Sequence, residues 1–245
     1  MKKTIVMSCT LLALTAGMAF AGAGGLNLGW NDCGGAPVSL NRVFACNTNT
    51  GTINSLFGSF VAPSCVNQMT ANEVVIDIQS TGVALPAWWT MRTGGCRNGS
   101  MLLNTDFTGG PFTCQDYWQG GATGGISQDA PVGNRSRIKA VFALPAGSPF
   151  ITGIPEGTEV YSFKVNINNL KSTGLGACAG CQTGVCIVLN SIKINQPVSE
   201  PCGGKFVSAP AVRNFATWQG GIGGDCYQAT PAKNTTWGSV KALYR

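Results

Sequence analysis

Apolar and polar positions alternate with a period of two over several separate stretches of this chain. Tyr161, Phe163, Val165 and Ile167 alternate with Ser162, Lys164, Asn166 and Asn168. Successive side chains of a strand point to opposite faces, so this pattern predicts a strand with one buried face and one wet face. Val74, Ile76 and Ile78 alternate in the same way with Glu73, Asp77 and Gln79, and Ile138, Ala140, Phe142 and Leu144 do so around Arg137 and Lys139. Met101, Leu103 and Phe107 read as one face of a further strand. From Cys186 to Ile194 the chain is apolar on both faces at its start, as in a strand central to a sandwich. Gly-, Asn- and Pro-rich clusters at 31–35, 47–51, 94–100, 109–111, 120–125 and 174–184 separate these runs. Strands punctuated in this way predict an all-β fold, an antiparallel, jelly-roll-like β-sandwich. The stretches 158–169 and 185–196 are expected to pair as one antiparallel hairpin. A helical period occurs at the very end, where Trp237, Val240 and Tyr244 follow the capping candidates Thr235 and Thr236. It predicts a short C-terminal helix docked on the sandwich.

The beginning of the chain carries a different signal. Met1-Lys2-Lys3 precedes an apolar run of about 17 residues that closes on Ala19-Phe20-Ala21. A charged start, a short apolar stretch and a small-x-small exit predict a secretory signal over 1–21. Membrane spans usually need ~17–25 residues, so an anchor is the weaker reading. Residues 22–245 then form one β-sandwich domain, placed outside the cell, at its surface or in the periplasm. No later run is long and apolar enough to span a membrane.

Export changes how the cysteines are read. Beyond Cys9 in the leader there are ten: Cys33, Cys46, Cys65, Cys96, Cys114, Cys178, Cys181, Cys186, Cys202 and Cys226. An even count in an exported chain predicts five disulfides. Local spacing favours Cys33 with Cys46 and Cys96 with Cys114. Among Cys178, Cys181 and Cys186 at least one internal bridge is expected, with Cys202 as the outside partner of the third. A zinc site on the same three thiolates would need Cys202 as fourth ligand. A redox-active Cys178–Cys181 pair would need a helix start that the surrounding glycines do not provide.

Charge and composition narrow the chemistry. The chain carries no histidine, which removes Ser-His-Asp and Cys-His catalysis and the commonest transition-metal ligand. Loss of Lys2 and Lys3 with the leader leaves 14 basic against 10 acidic residues, scattered without a basic run, so no nucleic-acid partner is expected. No cofactor motif and no metal motif is present. Asn31-Asp32 and Asn104 to Asp106 have loop oxygens suited to calcium but lack the dense acidic spacing of a calcium loop. Glycoside hydrolysis needs two carboxyl groups across one cleft. Glu73 and Asp77 share one side of a strand but stand about 13 Å apart along it.

Exported sandwiches often bind sugars, so aromatic platforms are the remaining candidates. Trp88-Trp89 follows Pro86, and Asp116-Tyr117-Trp118-Gln119 sets a carboxylate, two aromatics and an amide side by side. Asp116, Trp118, Gln119 and Trp88 are therefore the candidate binding residues. Against them stands the tendency of tryptophan in a sandwich to be core. Trp118-Gln119-Gly120-Gly121 also recurs as Trp218-Gln219-Gly220-Gly221.

The run 176–197, GACAGCQTGVCIVLNSIKINQP, the tail 230–245, TPAKNTTWGSVKALYR, and the stretch 26–49 with GWNDCGG and VFACNTN resemble a group of exported, cysteine-containing, β-rich bacterial proteins with no assigned activity. The resemblance implies no ligand and no catalytic residue. The sequence as a whole reads as a secreted or cell-surface, non-catalytic structural or binding module, its partner a glycan or another surface protein. A carbohydrate-binding module or a carboxylate-dependent glycoside hydrolase is the alternative.

Overall fold

The structure, a computed structural model, describes residues 24–31, 33, 41–51, 53–107, 114–220 and 226. The expected secretory signal and the expected helix around Trp237, Val240 and Tyr244 lie outside them. In chain order the strands are β1 (Gly25–Trp30), β2 (Asn41–Arg42), β3 (Asn54–Val61), β4 (Gln68–Met69), β5 (Ala71–Ser80), β6 (Met101–Asn104) and β7 (Thr123–Gln128), then β8 (Arg135–Ala143), β9 (Ile151–Thr152), β10 (Glu159–Ile167), β11 (Val185–Asn195), β12 (Lys205–Val207) and β13 (Phe215–Trp218).

These strands make an all-β sandwich. One sheet has the order β1-β3-β10-β6; the other runs β2-β13-β11-β5-β8-β7, with β12 also paired to β11. Strands β4 and β9 form a separate small ribbon. Each pairing between named strands is antiparallel except β13 with β2. The inward residues are those the alternation marked. Phe163, Val165 and Ile167 from one sheet and Val74, Ile76, Ile78, Ile138, Ala140 and Phe142 from the other join one contiguous core. Burial at ~25 cal/mol per Å² of apolar surface makes this core the main source of stability. Lys164 and Asn166, between the buried residues of β10, are half-buried rather than exposed.

The expected hairpin of 158–169 with 185–196 does not form. Strand β10 pairs with β3 and β6, whereas β11 pairs with β5, β12 and β13 in the opposite sheet. The connection 168–184 is long enough to cross between sheets, and its cysteines tie it to other loops. Phe107 also departs from the expected face. Strand β6 ends at Asn104, and Phe107 packs 6.1 Å from Phe57, whose ring lies near the Lys164 ammonium. Leu103 instead pairs with the buried Val165.

All ten cysteines are paired, but none locally. The bridges are Cys33–Cys114, Cys46–Cys181, Cys65–Cys202, Cys96–Cys178 and Cys186–Cys226, with Cα–Cα distances of 5.4, 5.8, 6.1, 6.0 and 5.5 Å. The local pairs Cys33 with Cys46 and Cys96 with Cys114 are thus overturned, as are the internal bridge among Cys178, Cys181 and Cys186 and the assignment of Cys202 to that trio. Spacing governs which cysteines meet in an unfolded chain. In the native state the sheet topology brings distant loops within the few ångströms a bridge allows.

A bulge and a close glycine contact shape the packing of β10. A bulge between Tyr161 and Phe163 leaves Ser162 outside the β3–β10 ladder. The Ser162 hydroxyl accepts a hydrogen bond from Asn72 Nδ2 of the opposite sheet at 2.8 Å, and its carbonyl accepts one from Trp118 Nε1 at 2.9 Å. Next to the bulge, Phe163 lies over Gly58, where an added Cβ would come within 2.1 Å of the ring. Gly58→Ala is therefore expected to lose about 1–3 kcal/mol through overpacking. Phe163→Leu, itself a cavity mutation, should recover part of that loss when combined with it. Urea unfolding of the four-member cycle checks this, and strictly additive losses would refute the contact.

The solvent face of the larger sheet carries cross-strand ion pairs. Lys193 stands opposite Glu73 and Arg137 opposite Asp77. Hydrogen bonds from Lys193 at 2.7 Å and Asn195 at 3.0 Å hold the Glu73 carboxyl below its ordinary 4.5. A folded-state value below the unfolded one stabilises the fold above the unfolded value and is lost as pH falls through the folded value. Glu73→Gln should therefore flatten, slightly, the acid limb of the stability–pH curve below 4.5. The effect is small because the pair is about half exposed. Denaturation series across the acid range, wild type against variant, measure it.

Candidate functional site

The tryptophan pair occupies the interior. Pro86 precedes a 3-10 turn, Ala87–Trp89, that sends both tryptophans into the core, each 0% exposed. Trp88 Nε1 donates to Ser172 Oγ at 2.9 Å, and its ring lies 4.7 Å from Trp218. Trp88 therefore offers a sugar no stacking platform: no face of its ring meets solvent. Arg97 covers it with a guanidinium 3.5 Å from the ring centroid.

Trp118 is also core, 1% exposed and T-shaped on Phe142 at 5.3 Å. The loop that carries it still builds a site. Cys114 ties the start of this loop to Cys33. The Asp116 carboxylate then accepts the backbone N–H groups of Trp118 and Gly120, both at 2.9 Å. Gln119 and Gly120 have φ of +50° and +68°, and Gly121 N–H donates to the Trp118 carbonyl at 2.8 Å. Two positive φ values at the centre of such a turn define type I′, which glycine tolerates and most residues resist.

The first three residues of the second copy, Trp218-Gln219-Gly220, follow the same pattern. Gln219 and Gly220 have φ of +59° and +75°, and both tryptophans are buried with the indole N–H on a backbone carbonyl. The two copies differ in the glutamine. Gln219 is consumed by the fold, accepting Phe44 N–H and donating to the carbonyls of Phe44 and Cys181. Gln119 is exposed, and its amide makes no hydrogen bond within the described residues.

Opposite this turn runs the segment 144–153. Strand β9 pairs with β4, and Leu144 N–H donates to the Thr70 carbonyl, which fixes both ends of the segment. A Cβ on Gly121 would meet the Trp118 carbonyl at 3.2 Å and the Leu144 side chain at 3.6 Å, so the two walls come close there. Between them lies a cleft of about 460 Å³, lined by Gln115, Tyr117, Gln119, Ser148, Phe150 and Thr152 among others. Phe150 is 47% exposed, and Tyr117 is half-buried, with burial pushing its phenol up from 10.0. Of the sequence candidates, the cleft brings together Asp116, Trp118 and Gln119. Tyr117 joins them from the same motif, whereas Gln115, Ser148, Phe150 and Thr152 are not marked by the sequence pattern. An exposed aromatic in a Ser-Pro-Phe turn has no periodic signature, and only the fold sets it across from the Asp116 loop.

Asp77 and Asp129 border a shared hollow of about 290 Å³. Arg137 grips both Asp77 oxygens, at 2.7 and 2.9 Å, and Lys139 reaches Asp129 at 2.8 Å. The calcium candidates are also engaged: Asn104 Oδ1 accepts Asp106 N–H at 2.7 Å and Asn31 Oδ1 accepts Ser55 N–H at 2.8 Å. Asp32 lies outside the described residues. No group of three or more His, Cys, Asp or Glu suited to a metal occurs among the described residues.

No family model and no curated protein matches the chain. Two solved structures from Acetivibrio cellulolyticus share a loose likeness. One is the second type II cohesin module of the adaptor scaffoldin ScaA, at 11% identity and TM-score 0.27, over 75% of this chain and 79% of that one. The other is the sixth cohesin of scaffoldin B, in complex with a dockerin, at 10% identity and TM-score 0.26, over 76% of this chain and 99% of that one. Both superpose too loosely for any residue to be carried across.

Proposed function

We propose that residues 22–245 form an exported, non-catalytic binding module whose ligand sits in the cleft between the Asp116 loop and the 144–153 segment. The observation that carries this reading is the cleft itself. A rigid type I′ turn, held by Asp116 and tied by Cys33–Cys114, sets an exposed glutamine across from an exposed phenylalanine. A half-exposed aromatic beside uncommitted polar groups is costly to leave bare and useful for recognition. Five disulfides support an oxidising compartment, outside the cell or in the periplasm. The ion pairs on Asp77 and Asp129 and the lack of any histidine favour binding over hydrolysis.

The test uses the purified mature protein and cell-envelope and extracellular fractions. Retention on at least one fraction is expected, and Phe150→Ala should weaken it about tenfold, or ~1.4 kcal/mol, with the melting temperature unchanged. Retention that ignores Phe150→Ala, or its absence from all fractions, overturns the reading.

A further inference from the structure

We infer that the cleft beside Asp116 takes a neutral polysaccharide chain; this rests on the binding-module reading above. The argument begins with charge. Asp116 is the one ionisable carboxyl or amine in the lining, and its two oxygens are spent on the backbone N–H groups of Trp118 and Gly120. Among the described residues no lysine or arginine lines the cleft, and the cation that Asp116 does feel electrostatically, Lys164, stands outside the lining. A phosphorylated, sulfated or uronate-rich ligand would bring anions to a lining that offers no cation and holds a fixed carboxylate. Burying an unpaired charge is costly, so such ligands are disfavoured.

The remaining lining is of two kinds. Gln115, Gln119, Ser148 and Thr152 supply neutral groups that donate and accept, as a ring of hydroxyls requires. Phe150, Pro149 and the half-buried Tyr117 supply flat apolar surface. A pyranose has the matching division, hydroxyls around its edge and C–H groups on its faces. A volume of about 460 Å³ falls within the range of small-ligand clefts.

A peptide suits the walls less well. Strand addition needs a row of unpaired backbone groups. Here Asp116 and the Trp118 carbonyl engage the N–H groups of Trp118, Gly120 and Gly121, and β9 is a two-residue strand already paired with β4. The cleft thus offers side chains rather than a backbone ladder.

Affinity electrophoresis of the mature protein tests this, in gels containing xylan, hydroxyethylcellulose, soluble starch, polygalacturonate or dextran sulfate. Expected is retardation by at least one of the three neutral polymers, unaffected by added salt. It should be about tenfold weaker in Phe150→Ala and reduced in Gln115→Ala, both exposed positions. Retardation confined to the anionic polymers and abolished by salt overturns the inference. So does retardation by a neutral polymer that both variants retain in full, because the binding is then elsewhere. If no polymer acts but Phe150-dependent retention on an envelope fraction survives and is destroyed by protease, the ligand is a protein: the inference falls and the module reading stands. Failure in both assays removes both.

Discussion

Replacing Arg97 with methionine is expected to lower the unfolding free energy by about 3 kcal/mol. This arginine is 0% exposed, and no carboxylate pairs with it among the described residues. Its guanidinium lies on the Trp88 ring and donates to the carbonyls of Leu170 at 2.8 Å, Trp88 at 3.1 Å and Asn168. Burial pulls its pKa down to about 9, which leaves it a cation at neutral pH. Removing it strands three carbonyls, at ~1–3 kcal/mol for each one left buried without a donor. Relief of a desolvated charge offsets part of that, which is why the net figure sits at the low end of the sum. Arg97→Lys is expected to do little better: an ammonium keeps the charge but cannot present a planar fork to three acceptors while stacking on an indole. Urea denaturation followed by circular dichroism gives both values. A methionine variant within ~0.5 kcal/mol of wild type, the range of an ordinary surface substitution, would show that the three carbonyls find water once the arginine is gone.

Arg97 also illustrates which parts of this molecule could be read in advance. The period-two runs translated directly into inward-facing rows, because a strand buried on one side has little choice of face. Val74, Ile76 and Ile78 are 2, 1 and 0% exposed as that rule requires. Partnership between strands was not readable in the same way. Strand β11 is apolar enough to be central in either sheet, and its ten-residue register with β5 depends on a pairing more than a hundred positions away. The disulfides follow from that topology, so local spacing misassigned them. Arg97 itself lies in a glycine-rich turn cluster, where a lone arginine looks solvated. Its burial arises only when the 168–184 connection folds over it, tied by Cys96–Cys178. The candidate site shows the same limit. Asp116 and Gln119 were singled out as neighbours in sequence, whereas Phe150 reaches them through the β4–β9 pairing and the turn after β8.

The two copies of the Trp-Gln-Gly-Gly turn allow local conformation to be separated from tertiary packing. Trp218→Ala is expected to cost about 3–5 kcal/mol, and more than Trp118→Ala. The two central residues of each turn share positive φ, and each indole N–H sits on one carbonyl, that of Cys181 at 2.7 Å and that of Ser162 at 2.9 Å. Loss of that hydrogen bond and of the buried area is therefore common to both. The ring neighbours are not. Trp218 stacks on Phe44 at 4.0 Å and meets Trp88, Trp89 and Trp30 at 4.7, 5.5 and 5.9 Å. Among the described residues Trp118 has Phe142 alone, at 5.3 Å. Aromatic pairs contribute ~0.5–1.5 kcal/mol each beyond area, so the difference between the variants should exceed about 1 kcal/mol. The cavity left by Trp218 also opens beneath the guanidinium-covered Trp88, and Trp218→Ala combined with Arg97→Met should be non-additive, because both substitutions disturb the same ring. Thermal and urea unfolding of the two alanine variants and the double variant measure all three quantities. Equal losses at 118 and 218 would mean that the tryptophan cluster adds nothing beyond the area it buries.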